Sequence, residues 1–218
     1  MLSVDALSKN FINVSITNTV DEALDILNQF KIKHLPIVKS KAFLTIISEE
    51  TLKAAHPGTI MKDFVNKGVK KFVRQDDHLL DAAKAMVDEE LTIIPVLEDD
   101  ESFMGIITME DLFTKIISRF GLNSDGSLLV IEVPQQDFQL SELIRILEME
   151  NVHLFSVLVS MENFPNIEIT LKTDIKDINS VLQTLERYSY TVKAYFENDQ
   201  YIHQLKDRYE SLISYLNV

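Results

Sequence analysis

The stretch TVDEALDILNQFKIKHLPIV, residues 19 to 38, recurs as HLLDAAKAMVDEELTIIPVL at 78 to 97, which sets Pro36 against Pro95 at an offset of 59. A fixed period constrains the fold more than any local pattern, because both copies must take one structure and share a core. In the first copy Val20, Ala23, Leu24, Leu27 and Phe30 recur at helical spacing, which gives one apolar face. Each copy then runs into a short β-rich segment with a proline, KHLPIV or TIIPVL, and proline predicts an edge or first-residue place in the strand. A polar turn, KSKA or EDDES, and a second strand, FLTIIS or FMGIIT, complete a hairpin. Another strand precedes each helix, FINVSI (11 to 16) and KKFVR (70 to 74), and a second helix begins in EETLKAA and MEDLFTKIISRF. Each copy is therefore β-α-β-β-α. A unit that small does not bury its own core, so the copies are expected to pair sheet to sheet.

After residue 121 the pattern changes. GLNSDGS reads as a linker or turn. SLLVIEVP, LSELIRILEME, LFSVLVSM, IEITLKT, INSVLQTLERY and TVKAYF then alternate as βαββαβ, the order of a ferredoxin-like unit. In the last segment Ile202, Leu205, Tyr209, Leu212 and Leu216 recur at gaps of three and four, a seam that suits a helix packed on its own domain or on a second chain. The chain is expected to divide into repeat 1 (1–58), repeat 2 (59–121), a linker (122–126), the βαββαβ domain (127–197) and a terminal helix (198–218). The fold class is α+β.

Composition narrows the function. Lys and Arg number 21 against 34 Asp and Glu, a net charge of −13, which argues against nucleic acid and anionic membrane as partners. There is no cysteine, hence no thiolate nucleophile or Cys-type metal site. The opening MLSVDALSKNF lacks a basic n-region and a long apolar core, so a cytoplasmic protein is expected. No nucleophile elbow, phosphate-loop glycine pattern or zinc-binding H-E-x-x-H is present, and the five histidines fall at no metal-ligand spacing. Paired carboxylates such as Asp76–Asp77, and the EDDE turn, read as solvated. No catalytic or metal residue is assigned, and an enzyme is not expected.

The duplicated pattern resembles the CBS-domain family. It is carried by the helix with Ala-Leu or Ala-Ala near its start, the h-P-V-h strand (LPIV and IPVL), and the closing G-h-x-T/S-x-x-D, here GIITMED. The βαββαβ tail is similar to an ACT domain, and the arrangement as a whole resembles acetoin-utilisation B-type CBS proteins. The resemblance implies a CBS pair that binds an adenine nucleotide or adenosyl compound (AMP, ADP, ATP or S-adenosylmethionine) between its sheets and transmits the bound state to the ACT-like domain or to a regulated protein partner. By the family's pattern Thr108 and Asp111 would hold the ribose hydroxyls, and Lys33 and His34 the phosphate. Asn18, Ala23, Ile32 and Ile106 would line the adenine pocket. For Ala23, Ile32 and Ile106 the plain alternative is core, and for Lys33 and His34 a solvated strand end.

The two copies are unequal. In repeat 1 the aligned stretch TIISEETL places Thr45 where repeat 2 has Gly105, Ser48 where it has Thr108, and Thr51 where it has Asp111. A hydroxyl does not accept from two ribose hydroxyls as a carboxylate does. One competent cleft and one degenerate cleft, the latter built from Thr51 and Thr92-Ile93, are therefore expected. The basic run Lys67, Lys70, Lys71 and Arg74 would add phosphate contacts or offset the acidic surface. The ACT-like tail has PQQDFQL, with Phe138 where that family would carry a ligand-turn glycine, so this domain is read as a dimerisation surface and the protein as a homodimer. The alternative to a ligand sensor is a dimeric scaffold whose nucleotide sites have decayed.

Overall fold

The computed structural model describes residues 1–196. The expected terminal helix lies outside the described residues. The chain divides into two compact units, Met1–Ile116 and Ile117–Val218.

The first unit contains both repeats. Repeat 1 is built from β1 (Val14–Ser15), α1 (Val20–Phe30), β2 (His34–Lys39), β3 (Ala42–Ser48) and α2 (Glu49–Lys53). Repeat 2 is built from β4 (Val73–Arg74), α3 (Leu79–Asp88), β5 (Ile93–Leu97), β6 (Phe103–Thr108) and α4 (Met109–Arg119). The sheets have the order β1-β2-β3 and β4-β5-β6, and in each the first pair is parallel and the second antiparallel. Equivalent signals start and stop the equivalent helices. Thr19 caps α1 by accepting from the Glu22 N–H, while the Glu22 carboxylate returns to the Thr19 N–H, a reciprocal capping box. At the aligned position His78 caps α3. Both helices end on a left-handed residue, Lys31 and Glu90, without glycine.

Two expectations need correction. Pro36 and Pro95 lie in the middle strand of each sheet, not in edge strands. Their position is tolerated because β1 and β4 pair only with Ile37–Val38 and Val96–Leu97, so each proline has a strand neighbour on one side alone. The leading strands FINVSI and KKFVR also shorten to two residues each. Upstream of them the chain is engaged with the other repeat or with a different strand: Ser8 N–H donates to Ile106 O at 2.9 Å, and Val69 exchanges both backbone bonds with Ile46 at 2.8 and 2.9 Å. Downstream a turn closed by an Asn or Asp side chain ends them, with Ser15 N–H donating to Asn18 Oδ1 and Arg74 N–H to Asp77 Oδ2, both at 2.7 Å.

The two repeats share one core. Leu35, Ile37, Ile47 and Leu52 of repeat 1 and Leu79, Ile93, Val96 and Ile107 of repeat 2 are fully buried in a single apolar cluster, the pairing that each small copy requires. The N-terminal turn Ser3–Ala6 packs on repeat 2 through Ser3 N–H to Asp77 O at 2.8 Å, and the turn Met61–Phe64 packs on repeat 1 through Met61 N–H to Asn18 O at 2.8 Å. Each repeat is thus closed by the segment that precedes the other.

The second unit runs β7 (Leu128–Pro134), α5 (Leu140–Met149), β8 (Leu154–Ser160), β9 (Asn166–Thr173), α6 (Asn179–Arg187) and β10 (Thr191–Phe196). Its antiparallel sheet has the order β10-β7-β9-β8, the ferredoxin-like arrangement. Alternate residues Leu129, Ile131 and Val133 of β7 and Ile167, Ile169 and Leu171 of β9 are buried in one core with Leu143, Ile146, Val181 and Leu185 of the helices. Phe138 ends a 3₁₀ turn at φ −76° and packs against this core, so its backbone needs no glycine.

Candidate functional site

Strand register brings the candidate residues of the first unit to one seam. The hairpin β5–β6 pairs Ile93 with Thr108, and β2–β3 pairs His34 with Ser48. Each following helix begins at once and is tied to the start of the partner strand: Glu49 N–H donates to Lys33 O at 2.8 Å, and Met109 N–H to Thr92 O at 3.1 Å. Lys33 and Thr92 occupy equivalent positions in the two repeats, and they meet. Thr92 Oγ1 accepts the Lys33 N–H at 3.1 Å. His34 Nδ1 lies 3.1 Å from Thr92 Oγ1 and accepts the Thr92 N–H at 3.1 Å. The first turns of α2 and α4 flank this junction.

Thr108 and Asp111 form a reciprocal cap at the start of α4. The Thr108 hydroxyl donates to Asp111 Oδ2 at 2.6 Å, the Thr108 N–H reaches the same oxygen at 3.4 Å, and the Asp111 N–H returns to Thr108 Oγ1 at 3.1 Å. Asp111 Oδ1 has no hydrogen bond among the described residues, so half of the carboxylate's accepting capacity is open. In repeat 1 Ser48 Oγ accepts the Thr51 N–H at 3.2 Å and lies 2.9 Å from Thr51 Oγ1. The cap is the same, with no carboxylate in it.

His34 is half-buried, and burial first, then the charge of Lys33, lowers its pKa. With Nδ1 occupied as an acceptor, the ring is the neutral Nε2–H tautomer. It offers a phosphate a donor and not the second cation expected beside the exposed Lys33. Asn18 is committed to its own turn: Oδ1 accepts the Ser15 N–H and Nδ2 donates to Glu22 Oε2 at 2.7 Å. Asp77 closes the matching turn in repeat 2, so the Asn18 position is structural in both copies. Ala23 and Ile106 are completely enclosed and Ile32 is buried; all three belong to the shared core and present little or no surface in this conformation.

Gly105 has φ +155°, a value that favours glycine, and an added Cβ would lie 3.3 Å from Leu7 Cδ2. Its counterpart Thr45 is buried and donates its hydroxyl to Val69 O at 3.3 Å. Thr92, expected only as part of the degenerate cleft, is also the partner of Lys33 and His34, a contact that the sequence did not indicate because the residue has no charge and carries no motif. Its signal is positional: it is the aligned partner of Lys33.

The second unit has an open depression of about 440 Å³ lined by Met149, Glu150, Thr184, Arg187 and Tyr188. Its polar groups serve one another, with Thr184 Oγ1 donating to Glu150 at 2.6 Å and accepting from Arg187 at 2.7 Å. No cluster of His, Asp or Glu among the described residues has metal-binding geometry, and none of their helices is long and apolar enough to cross a membrane.

The CBS domain matches this chain twice, at residues 3–56 and 60–118. The chain belongs to the CBS-domain family. Among curated proteins it is similar to inosine-5'-monophosphate dehydrogenase of Methanocaldococcus jannaschii, 26% identical over 201 residues, which are 87% of this chain and 40% of that protein. It is also similar to a homoserine O-acetyltransferase of Methanohalobium evestigatum, 28% identical over 105 residues, 47% of this chain and 21% of that protein. The chain thus spans less than half the length of these relatives. Among solved structures, a CBS domain pair/ACT domain protein of Thermotoga maritima superimposes at TM-score 0.49 with 18% identity, covering 54% of this chain and 98% of that one. CBSX2 in complex with AMP gives TM-score 0.44 at 21% identity, over 54% of this chain and 96% of that one.

Proposed function

We propose that the CBS pair of this protein is a regulatory sensor that takes one adenosine-containing ligand per chain, held by its ribose at Asp111 and Thr108. The observation that carries this reading is the open Oδ1 of Asp111 beside a fixed Oδ2. Two vicinal hydroxyls can donate to one carboxylate, and a hydrogen bond to a charged acceptor contributes about 1.5 to 3 kcal/mol. Thr51 at the matching place offers only a hydroxyl already shared with Ser48, so the second cleft is the poor one. Lys33 and the Nε2–H of His34 would face the phosphate, or the amino-acid carboxylate of S-adenosylmethionine, and AMP, ADP, ATP and S-adenosylmethionine all meet the ribose requirement. The ACT-like unit, in an arrangement like the acetoin-utilisation B-type proteins, would read the occupied state within a homodimer and pass it to a regulated protein partner.

Calorimetric titration of the four compounds tests this. The expected result is one site per chain in wild type, an affinity lower by about 10- to 150-fold in Asp111→Ala, and an unchanged response in Thr51→Ala. The complete enclosure of Ala23 and Ile106 favours the other reading, a dimeric scaffold with decayed sites. No heat from any of the four compounds, or equal binding by wild type and Asp111→Ala, would establish that reading in its place.

A further inference from the structure

Strand register divides the outer face of the second unit's sheet, the face turned away from α5 and α6, into rows that cross all four strands. One row is Phe196, Leu128, Lys172 and Ser156, and the next is Ala194, Val130, Thr170 and Leu158. The third is charged and self-sufficient, with Glu132 and Glu168 both paired to Lys193, at 3.7 and 2.7 Å. The first two rows are not. Phe196 and Leu158 are 59% and 43% exposed. Lys172 is 5% exposed, burial lowers its pKa, and its ammonium makes no hydrogen bond or ion pair among the described residues. The carboxylate that acts on it, Asp125, is paired with Lys176 at 3.1 Å. Its cross-strand neighbour Ser156 has an enclosed hydroxyl that also lacks a partner among the described residues. The linker only edges this strip, with Gly121 beside Phe155 and Gly126 beside Thr173. Apolar side chains left in water next to enclosed polar groups without partners mark a surface that a further segment completes.

We infer that residues 199–218 of the same chain lie across this strip as an amphipathic helix and give the second unit a third layer. The occupant follows from sequence and reach. β10 delivers the chain at Phe196, on the strip itself. Ile202, Leu205, Tyr209, Leu212 and Leu216 share one side of a helix, and Asp199, Lys206, Asp207, Arg208 and Glu210 lie off that side. The strip spans three strand spacings, about 14 Å, and the ten residues from Ile202 to Leu212 make about 15 Å of helix. With Ile202 over β10, Tyr209 comes about 10 Å further, two spacings on, above β9. There its hydroxyl, the one polar group of the seam, can accept from Lys172 and serve Ser156. The strip of a second copy is the poorer occupant, because a two-fold contact between equal strips brings two unpaired Lys172 ammonium groups into one dry interface. The segment is also tethered at the edge of the strip, so it competes at an effective concentration on the order of millimolar. The inference needs neither a nucleotide at Asp111 nor a homodimer.

The absence of cysteine from the chain makes the test direct. Leu158→Cys on β8 is combined either with Leu212→Cys, which the spacing places above it, or with Asp207→Cys on the far side of the helix. Treated with a short bis-maleimide at micromolar protein, the first pair should link within one chain at least about tenfold more than the second. Seam variants of the full chain give an independent reading. Adding Leu205→Glu and Leu212→Glu to Leu158→Cys should speed alkylation of that cysteine at least about tenfold. The same pair of changes should leave alkylation of Val87→Cys, exposed on α3, as it was. Links between chains in place of links within one would give the strip to a second copy and overturn the inference. Equal linking by the two cysteine pairs, or alkylation of Leu158→Cys that the seam variants leave unchanged, would overturn it as well.

Discussion

Thr108 Oγ1 lies 2.6 Å from Asp111 Oδ2, and at the same two places in repeat 1 Ser48 Oγ lies 2.9 Å from Thr51 Oγ1. One capping geometry thus occurs twice with different chemistry at its third position. In both repeats the cap satisfies a helix N–H that would otherwise be orphaned; in repeat 2 alone it also fixes a carboxylate with accepting capacity to spare.

The cap and the ligand role separate by mutation. Thr108→Ala and Ser48→Ala each remove a side-chain acceptor at a helix start, and each should lower stability by about 1 kcal/mol. For a chain of this size that is a fall in melting temperature of about 2 to 4 °C. The two variants should look alike in a thermal scan without ligand and differ in nucleotide titration, where only Thr108→Ala should weaken binding. A loss of binding in Ser48→Ala would mean that the repeat 1 cleft holds the ligand.

The junction at Thr92 has its own signature. Its hydroxyl accepts the Lys33 N–H and faces His34 Nδ1 across the repeats. Thr92→Val keeps the shape and deletes the oxygen, so the Lys33 N–H loses its acceptor while His34 Nδ1 keeps the residue 92 N–H, at a net cost of about 0.5 to 1.5 kcal/mol. Thr92→Ser keeps the oxygen and should remain within about 0.5 kcal/mol of wild type, the range of a mild substitution. Urea midpoints compare the two; equal destabilisation would mean that the methyl packing and not the hydroxyl joins the repeats.

Much of this architecture is legible in the sequence because periodicity and duplication act over whole elements. The 59-residue offset locates both hairpins, and the alternation in LLVIEVP and NIEITLKT marks β7 and β9. What the sequence does not reveal is what depends on contacts between copies of the repeat. Pro36 is read as an edge residue because nothing local says that β1 is only two residues long. Thr92 appears inert until Lys33 is placed beside it. Ala23 and Ile106 match a family's ligand positions in sequence, yet the shared core encloses them, since burial follows from how two units pack and not from a motif. His34 is read as a cation from its residue type, and its neutral state comes from the Thr92 N–H that occupies Nδ1.

That neutral state predicts a pH dependence. Burial, then Lys33, lowers the folded pKa of His34, so the unfolded chain binds this proton more readily than the folded one. The stability linked to His34 is complete above the unfolded value of about 6.5 and declines as pH falls below it, until the folded ring also titrates. Protonated Nδ1 no longer accepts from Thr92, which gives the loss a structural cause. The stability difference between wild type and His34→Asn, from urea midpoints, should therefore shrink between pH 7.5 and pH 5.5. A difference that holds constant or grows on acidification would reject the assignment.

Gly68 and Gly126 offer a matched pair of steric probes, one in each unit. A Cβ added at Gly68 would stand 2.1 Å from Ile46 O and 2.5 Å from Thr45 Oγ1, beside the bonds that join Val69 to Ile46. The first of these atoms is backbone, so the segment must shift, at the upper end of the cost of overpacking, about 3 kcal/mol. At Gly126 the added atom would meet Thr173 O at 1.9 Å, and φ is +129°, so steric conflict and conformational strain act together. Because the two glycines belong to separate compact units, Gly68→Ala should lower protection from hydrogen exchange across β3 and its neighbours, and Gly126→Ala across β9. Gly58 has nothing within 4 Å of an added Cβ and no left-handed φ. Gly58→Ala should be neutral or stabilising by up to about 1 kcal/mol, because it restricts the unfolded chain alone. Equal protection maps for Gly68→Ala and Gly58→Ala would show that residue 68 does not sit against β3 as described.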